Sequence, residues 1–345
     1  MHVNVSIIGL NRISTSLALA LKRYQAQPKA QHTFTITGSD ERDPSMKAAQ
    51  KLGALDRSER KPLKAADNAD LIVMNAPPGQ LEELYARLGP GLKHGAVVLD
   101  MTILKEPAVA WAERHFPTND KGQPLAYLVG IAPLVNGSVL YDSDTSAEAA
   151  TADLFDGSDF LVTPDPKCPG EAIALAEDTI RLIGGKPRFM DPAEHDGLAA
   201  ATEELPALLG AALFYALHQS DGWPEMRRMV NPTLALMFQN LRYQSQEDLQ
   251  ALFTLNQENL VRHLGGLIGV LEELHDTLAQ NDADKLEAFL SLVGKEWEKW
   301  DVKRQIGQWE TAPQFEAASG PLGSMGIFGM RRRARGQNQD TDDRE

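Results

Sequence analysis

The stretch from Val3 to Leu21 constrains this chain more than any other. An apolar run, Val3-Asn-Val-Ser-Ile-Ile, meets Gly9, then a polar loop Leu10-Asn-Arg-Ile-Ser14, then an apolar-periodic segment ending at Leu21. That order reads as a buried strand, a tight turn and a helix. A turn of this kind that also receives a pyrophosphate wants glycine at three places: to turn, to let the phosphates approach the backbone, and to pack helix on strand. Those places hold Gly9, Asn11 and Ser14. The turn glycine is kept, asparagine tolerates positive φ better than most residues, and serine is small. Asn11 sets a side chain where phosphates would approach. The residues therefore support two readings: a nucleotide loop built from Gly9, Asn11, Arg12, Ile13 and Ser14, or a strand-turn-helix that only packs.

Downstream, strand-like and helix-like segments alternate with short connections. Thr33 to Gly38 reads as a second strand ending at Ser39-Asp40, followed by a helix from Met46 to Leu52. Ala69 to Ala76 is a buried strand closed by Pro77-Pro78-Gly79, then come a helix over 81–88 and a strand over 95–100. Such alternation requires a parallel sheet with right-handed crossovers, a Rossmann-type doubly wound α/β fold. Ligand-facing groups then lie beyond the strand ends, at Gly9, Asp40, Ala76 with Pro77, and Asp100. An acid at the tip of the second strand suits a ribose and NAD; Arg42 beside it suits the 2′-phosphate of NADP. Asp40 also suits the cap of the next helix. Further strands are expected at 126–130, 160–163 and 187–190, with a helix over 169–183. The polar, turn-rich segment 137–148 reads as an excursion from the core.

The domains expected are 1–190, Rossmann and dinucleotide-binding; 191–310, helical and dimerising; and 311–345, a disordered tail. The second domain lacks strand alternation, and its helix candidates are 198–218, 232–242, 245–278 and 282–300. Gly265, Gly266 and Gly269 mark a kink or close contact in the third. Its leucines, Leu252, Leu255, Leu260, Leu264, Leu267, Leu271 and Leu274, suit a subunit interface and a homodimer. Trp297, Trp300 and Trp309 read as core anchors.

A net charge of −14 argues against nucleic acid as the main partner. The basic cluster 331–335 is followed by four acids and reads as a solvated end. No apolar run approaches the roughly 20 residues of a membrane span, and no secretory leader is evident. A cytoplasmic location is expected. The single cysteine, Cys168, excludes an internal disulfide and any cysteine-based metal cage, and no base for a catalytic thiol lies near it.

The order of segments resembles the prephenate and arogenate dehydrogenase family. The matching pieces are Ile7 to Ala18, Ala69 to Pro77, Gly95 to Asp100 with Lys105, Leu154 to Gly157 before Leu161 to Pro164, Asp191 to Asp196, Leu205-Pro206 and Met226 to Met229. The resemblance implies a Rossmann domain followed by an all-α dimerisation domain. It implies NAD(P)-dependent oxidative decarboxylation of prephenate or arogenate in tyrosine biosynthesis, with a carboxylate substrate gripped by the arginine matching Arg228. The family's catalytic histidine sits in a Gly-His-Pro-Met-like segment; the corresponding stretch here is Gly130-Ile-Ala-Pro-Leu134. Losing a general base is worth about 10²- to 10⁴-fold in rate. A family serine corresponds to Ile103, one residue after Thr102, and the Ser-His-Leu-Pro-His segment becomes Glu203-Glu204-Leu-Pro-Ala207. The catalytic role is unassigned, with Thr102, His195 and Glu204 as candidates. The alternatives are a non-catalytic nucleotide- or carboxylate-binding dimer and a dehydrogenase of another substrate. β-Hydroxyacid dehydrogenases of similar architecture use a lysine early in their second domain. No lysine lies between Lys186 and Lys285.

Overall fold

The computed structural model describes residues 1–142 and 144–307. The expected tail, with the 331–335 arginine cluster and Trp309, lies outside the described residues. Among the described residues, eight strands form one sheet: β1 His2–Ile8, β2 Thr33–Ser39, β3 Arg57–Ser58, β4 Leu71–Met74, β5 Val97–Asp100, β6 Tyr127–Leu134, β7 Asp159–Pro164 and β8 Lys186–Phe189. Their order is β3-β2-β1-β4-β5-β6-β7-β8, so the topological switch point lies between β1 and β4. Helices α1 (Arg12–Gln25), α2 (Asp43–Lys51), α3 (Pro62–Ala65), α4 (Leu81–Leu88), α5 (Glu106–His115) and α6 (Gly170–Leu182) cover it. One core joins α1 and α6 to the sheet through Leu17, Leu21 and Ile180. The other joins α4 and α5 to the opposite face through Leu84, Tyr85 and Trp111.

All neighbouring pairs are parallel except β6 and β7, which run antiparallel. Alternation alone predicts parallel strands throughout. The segment after β6 supplies only 3₁₀ turns, at Gly137–Val139 and Ala147–Ala149. Without a crossover helix the chain re-enters the sheet from the end at which it left. Nor is this segment wholly outside the core, because Ala147 and Ala150 are buried.

The helical part comprises α7 (Pro192–Ala199), α8 (Leu205–His218), α9 (Trp223–Met226), α10 (Pro232–Met237), α11 (Gln239–Tyr243), α12 (Gln246–Leu255), α13 (Gln257–Ala279) and α14 (Ala283–Ile306). A π-turn at Ala200–Glu204 joins α7 to α8. The resulting 27-residue helix has a mean hydropathy of 1.2 over its most apolar window, enough by length and composition to cross a membrane. Four carboxylates, Glu194, Asp196, Glu203 and Glu204, interrupt its apolar run without ending the helix. Two of them, Asp196 and Glu204, are buried within the protein.

The long third segment is also broken where its glycines do not predict it. It divides at Asn256 (φ −129°, ψ 30°), whereas the helix is continuous through Gly265, Gly266 and Gly269. A Cβ on any of those glycines would meet nothing within 4 Å. Trp297 and Trp300 are exposed on this chain, so neither anchors its core.

Candidate functional site: the switch-point crevice and the domain junction

Gly9 adopts φ +88°, and a Cβ there would lie 2.2 Å from the Asn75 carbonyl oxygen. Glycine is therefore required because the loops after β1 and β4 touch at the switch point. Asn11 is the N-cap of α1, with extended backbone (φ −120°) rather than the left-handed conformation asparagine tolerates. Its Oδ1 accepts from the backbone N–H of Ile13 (2.9 Å) and Ser14 (3.1 Å). Asn75 Nδ2 donates to the same oxygen at 2.8 Å. Ser14 closes a capping box: its Oγ accepts from the Asn11 N–H (3.1 Å) and donates to the Gly9 carbonyl (2.7 Å). The Arg12 N–H donates to the Thr145 carbonyl at 2.9 Å. The Arg12 side chain reaches Asp142 (2.8 Å) and the Asp144 carbonyl (3.1 Å). The first-turn donors of α1, which in such folds face a pyrophosphate, are thus all engaged within the chain.

Asp40 is buried at the tip of β2. Its carboxylate accepts the Leu10 N–H (2.7 Å) and the Arg42 N–H (2.7 Å) and pairs with the Arg42 guanidinium at 3.1 Å. It does not cap α2, whose N-cap is Arg42. The pairing raises the Arg42 pKa, and the guanidinium stays largely exposed. Ala76 is buried just after β4, and Pro77 precedes a 3₁₀ turn whose Gly79 N–H donates to Asp248 of α12 at 2.9 Å.

At the ends of β5 and β6 the chain builds a buried polar cluster around Lys105. Its Nζ donates to the carbonyls of Asp100 (2.9 Å), Thr102 (2.5 Å) and Ile131 (3.1 Å) and lies 3.5 Å from Asp100 Oδ1. Burial lowers the Lys105 pKa, opposed by Asp100 and Asp196. Asp100 also accepts the Thr102 hydroxyl and the Tyr85 hydroxyl, each at 2.5 Å. Burial, with Asp100 alongside, holds the Tyr85 pKa well above its ordinary value. Gly130 makes room for this cluster, since a Cβ there would lie 2.1 Å from Thr163 Oγ1 and 2.9 Å from Lys105 Cδ. Ile131, one of the two residues at the family's histidine position, is fully buried in the sheet core.

A second cluster ties the sheet to the helices. Asp196 caps α5, accepting the backbone N–H of Lys105 and of Glu106, both at 2.8 Å. His195 Nδ1 lies 3.0 Å from the same carboxylate. Asn256 Nδ2, at the break before α13, donates to the Asp196 carbonyl (2.8 Å) and to Glu204 Oε1 (2.6 Å). Glu204 is fully buried, and its Oε2 has no hydrogen-bond partner. Burial pushes its pKa up to about 7, with the Asn256 bond opposing and Asp196 reinforcing.

The structure thus gathers Gly9, Asn11, Arg12, Ile13, Ser14, Asp40, Ala76 and Pro77 along the crevice. It sets Thr102 at the β5 end and His195 with Glu204 in the junction cluster. Arg228 stands apart: its side chain is 71% exposed and 3.6 Å from Glu225. Sequence reasoning did not find the bridging role of Asn256 or the capping role of Asp196, because each partner is distant in the chain. Cys168 is half-buried, and burial, then Asp165, pushes its pKa up to about 12, so its thiol stays protonated. Among the described residues no group of acids, histidines and cysteines could hold a metal ion.

The chain matches the model of the prephenate dehydrogenase nucleotide-binding domain over residues 17–188 and that of the prephenate dehydrogenase dimerization domain over 191–292. A cyclohexadienyl dehydrogenase from Zymomonas mobilis subsp. mobilis is 25% identical over 210 residues, covering 61% of this chain and 66% of that protein. The chain therefore spans just under two thirds of that relative's length. Among solved structures, the prephenate dehydrogenase of A. aeolicus in complex with hydroxyphenyl propionate and NAD+ is similar in fold. It superposes with a TM-score of 0.69 at 22% identity, covering 86% of this chain and 97% of that one. The Synechocystis arogenate dehydrogenase gives a TM-score of 0.61 at 19% identity, over 86% of this chain and 99% of that one. The first family match begins beyond the rewritten loop, at residue 17, and with the second it takes in both the sheet and the helices: this chain belongs to the prephenate dehydrogenase family.

Proposed function

We propose that this protein is an NAD(P)-dependent oxidoreductase that oxidatively decarboxylates a cyclohexadienyl carboxylate of the prephenate or arogenate type. The carrying observation is family membership across both the nucleotide-binding sheet and the helical region. The adenosine half of a dinucleotide would lie between the Gly9 turn and Asp40 with Arg42 at the tip of β2. The pyrophosphate half would meet Asn11. When bound, the nicotinamide would supply the hydride acceptor. Thr102, its hydroxyl held by Asp100, is the candidate to orient a substrate hydroxyl at the β5 end. His195 and Glu204 serve the junction. Arg228, which the resemblance matches to the family's carboxylate grip, stands apart from these groups, exposed beside Glu225. The exposed apolar residues of the helices, Leu236, Ile268 and Leu271 among them, pair two copies of the chain.

A second reading has its own observation: at the family's histidine position this chain carries Ile131 and Ala132, neither of which can take a proton. On that reading the protein is a binding dimer without turnover. Calorimetric titration with NAD+ and NADP+, followed by absorbance assays of prephenate and arogenate turnover, separates the two. Turnover with either substrate supports the oxidoreductase. Nucleotide binding without turnover selects the binding dimer, and absence of nucleotide binding removes the oxidoreductase reading.

A further inference from the structure

The first turn of α1 has its own ligand, and that ligand belongs to the chain. A helix start offers N–H groups and a partial positive charge that suit a phosphate. Here Asn11 Oδ1 receives two of those groups and Thr145 O the third, at 2.9–3.1 Å. The Asn75 amide donates to Asn11 Oδ1 as well, tying the loop after β4 to the loop after β1. These loops flank the switch point, where a dinucleotide crosses between the halves of a doubly wound sheet. Arg12, the nearest cation, is drawn to Asp142 and the Asp144 carbonyl, and its Nε is buried without a partner. The segment supplying these groups is itself held. Arg304 of α14 donates to the Val135 carbonyl at its base, and the Thr151 N–H donates to Ser16 Oγ at its end.

We propose that Asn11 is the residue that sets nucleotide affinity in this protein. Its side-chain amide competes with a dinucleotide's pyrophosphate for the first-turn N–H groups of α1, with the contacts of Asp142, Asp144 and Thr145 to Arg12 reinforcing the competition. The inference rests on the dinucleotide-binding reading above. Binding then requires the Asn11–Asn75 clasp to open, and free Arg12 becomes a phosphate partner. Asparagine, aspartate and glycine are all good N-caps, so substitutions among them alter the competitor while keeping the helix start.

The test is calorimetric titration of the full chain with NAD+ and NADP+, comparing wild type with Asn11→Gly, Asn11→Asp and Asp142→Ala. Asn11→Gly should tighten the Kd at least about tenfold, the worth of one regained charge-assisted hydrogen bond. Asn11→Asp, which places a carboxylate on the same N–H groups, should weaken it by a comparable factor. Asp142→Ala should tighten it roughly threefold by releasing Arg12 from a half-exposed ion pair. A merely structural cap would not move affinity in opposite directions for two residues that both serve as N-caps. Wild type and Asn11→Gly binding with equal Kd would overturn the inference and leave the dinucleotide reading standing. Binding by Asn11→Gly alone would support it in its strongest form, and failure of both proteins to bind either nucleotide would remove both readings. Should Asn11→Gly fail to fold, Asp142→Ala decides: a Kd unchanged from wild type overturns the inference.

Discussion

Glu204 shows how much one position owes to its surroundings. Beside Glu203 in the sequence it is one of two acids where the family has a histidine-containing segment, and nothing local says which is buried. In the fold its Oε1 meets Asn256 and its Oε2 meets no partner, so the charged form is disfavoured and the pKa rises to about 7. A folded-state pKa above the unfolded value means the native state holds the proton more tightly. The stability from this group is fully present below about pH 4.5 and is lost as pH rises through about 7. Glu204→Gln should therefore be more stable than wild type at pH 8 by up to about 3 kcal/mol, with the advantage shrinking toward pH 5. Urea denaturation at the two pH values measures it. Lys105 behaves differently, because three carbonyls satisfy its ammonium. Lys105→Met should cost about 3–5 kcal/mol by leaving the Asp100 carboxylate buried without its cation. Chemical denaturation monitored by circular dichroism would register that loss, and an unchanged midpoint would contradict the assignment.

Elements are where local signals and tertiary demands part. The strand-turn-helix at residues 2–25 was legible because periodicity, turn glycine and helix cap all lie within one short stretch. The strands at β2, β4 and β5 were legible for the same reason. The antiparallel β7 was not, since strand direction depends on which way the excursion 135–158 returns. Composition suggests one segment over 245–278 with a kink or close contact at its glycines, and no break between α12 and α13. The chain breaks instead at Asn256, whose buried amide reaches both Asp196 and Glu204. Gly130 offers a direct test at this scale. Gly130→Ala should destabilise by about 2–3 kcal/mol, within the range for overpacking, because its Cβ would overlap Thr163 and the Lys105 stem. A melting temperature within 1–2 °C of wild type, against the roughly 2–4 °C per kcal/mol typical of domains of 150–250 residues, would show that the strand relaxes at no cost.

On the scale of the whole molecule, the helices carry more apolar surface than one chain covers. Leu252 and Leu260 of the leucine stripe are buried in the chain, while Leu255 and Leu271 are exposed. Trp297, Trp300 and Leu236 are likewise left at the surface of a single copy. An isologous pairing of two copies would bury such a face, and twofold pairing is the commonest closed assembly. Sedimentation of the wild type should give a dimer, and the double variant Ile268→Glu, Leu271→Glu should sediment as a monomer. A wild-type monomer at micromolar concentration would overturn this arrangement.

The sequence by itself determined the doubly wound sheet and the helical region after it, because those follow from hydrophobic period and the spacing of turns along a local stretch, and the order of its matching segments carried the resemblance to the family. It also placed Gly9, Asp40 and Ala76 at strand ends, since strand ends in a parallel sheet face one edge. Only the tertiary structure decided what those positions do. Asn11 became a clasp because Asn75 arrives from 64 residues away, and the Arg12 N–H found Thr145 from more than 100 residues away. Glu204 became a buried, proton-holding acid because Asn256 arrives from 52 residues away. Hydrogen bonding and desolvation act through space, so the chemistry of a side chain is set by partners that its neighbours in the chain do not reveal.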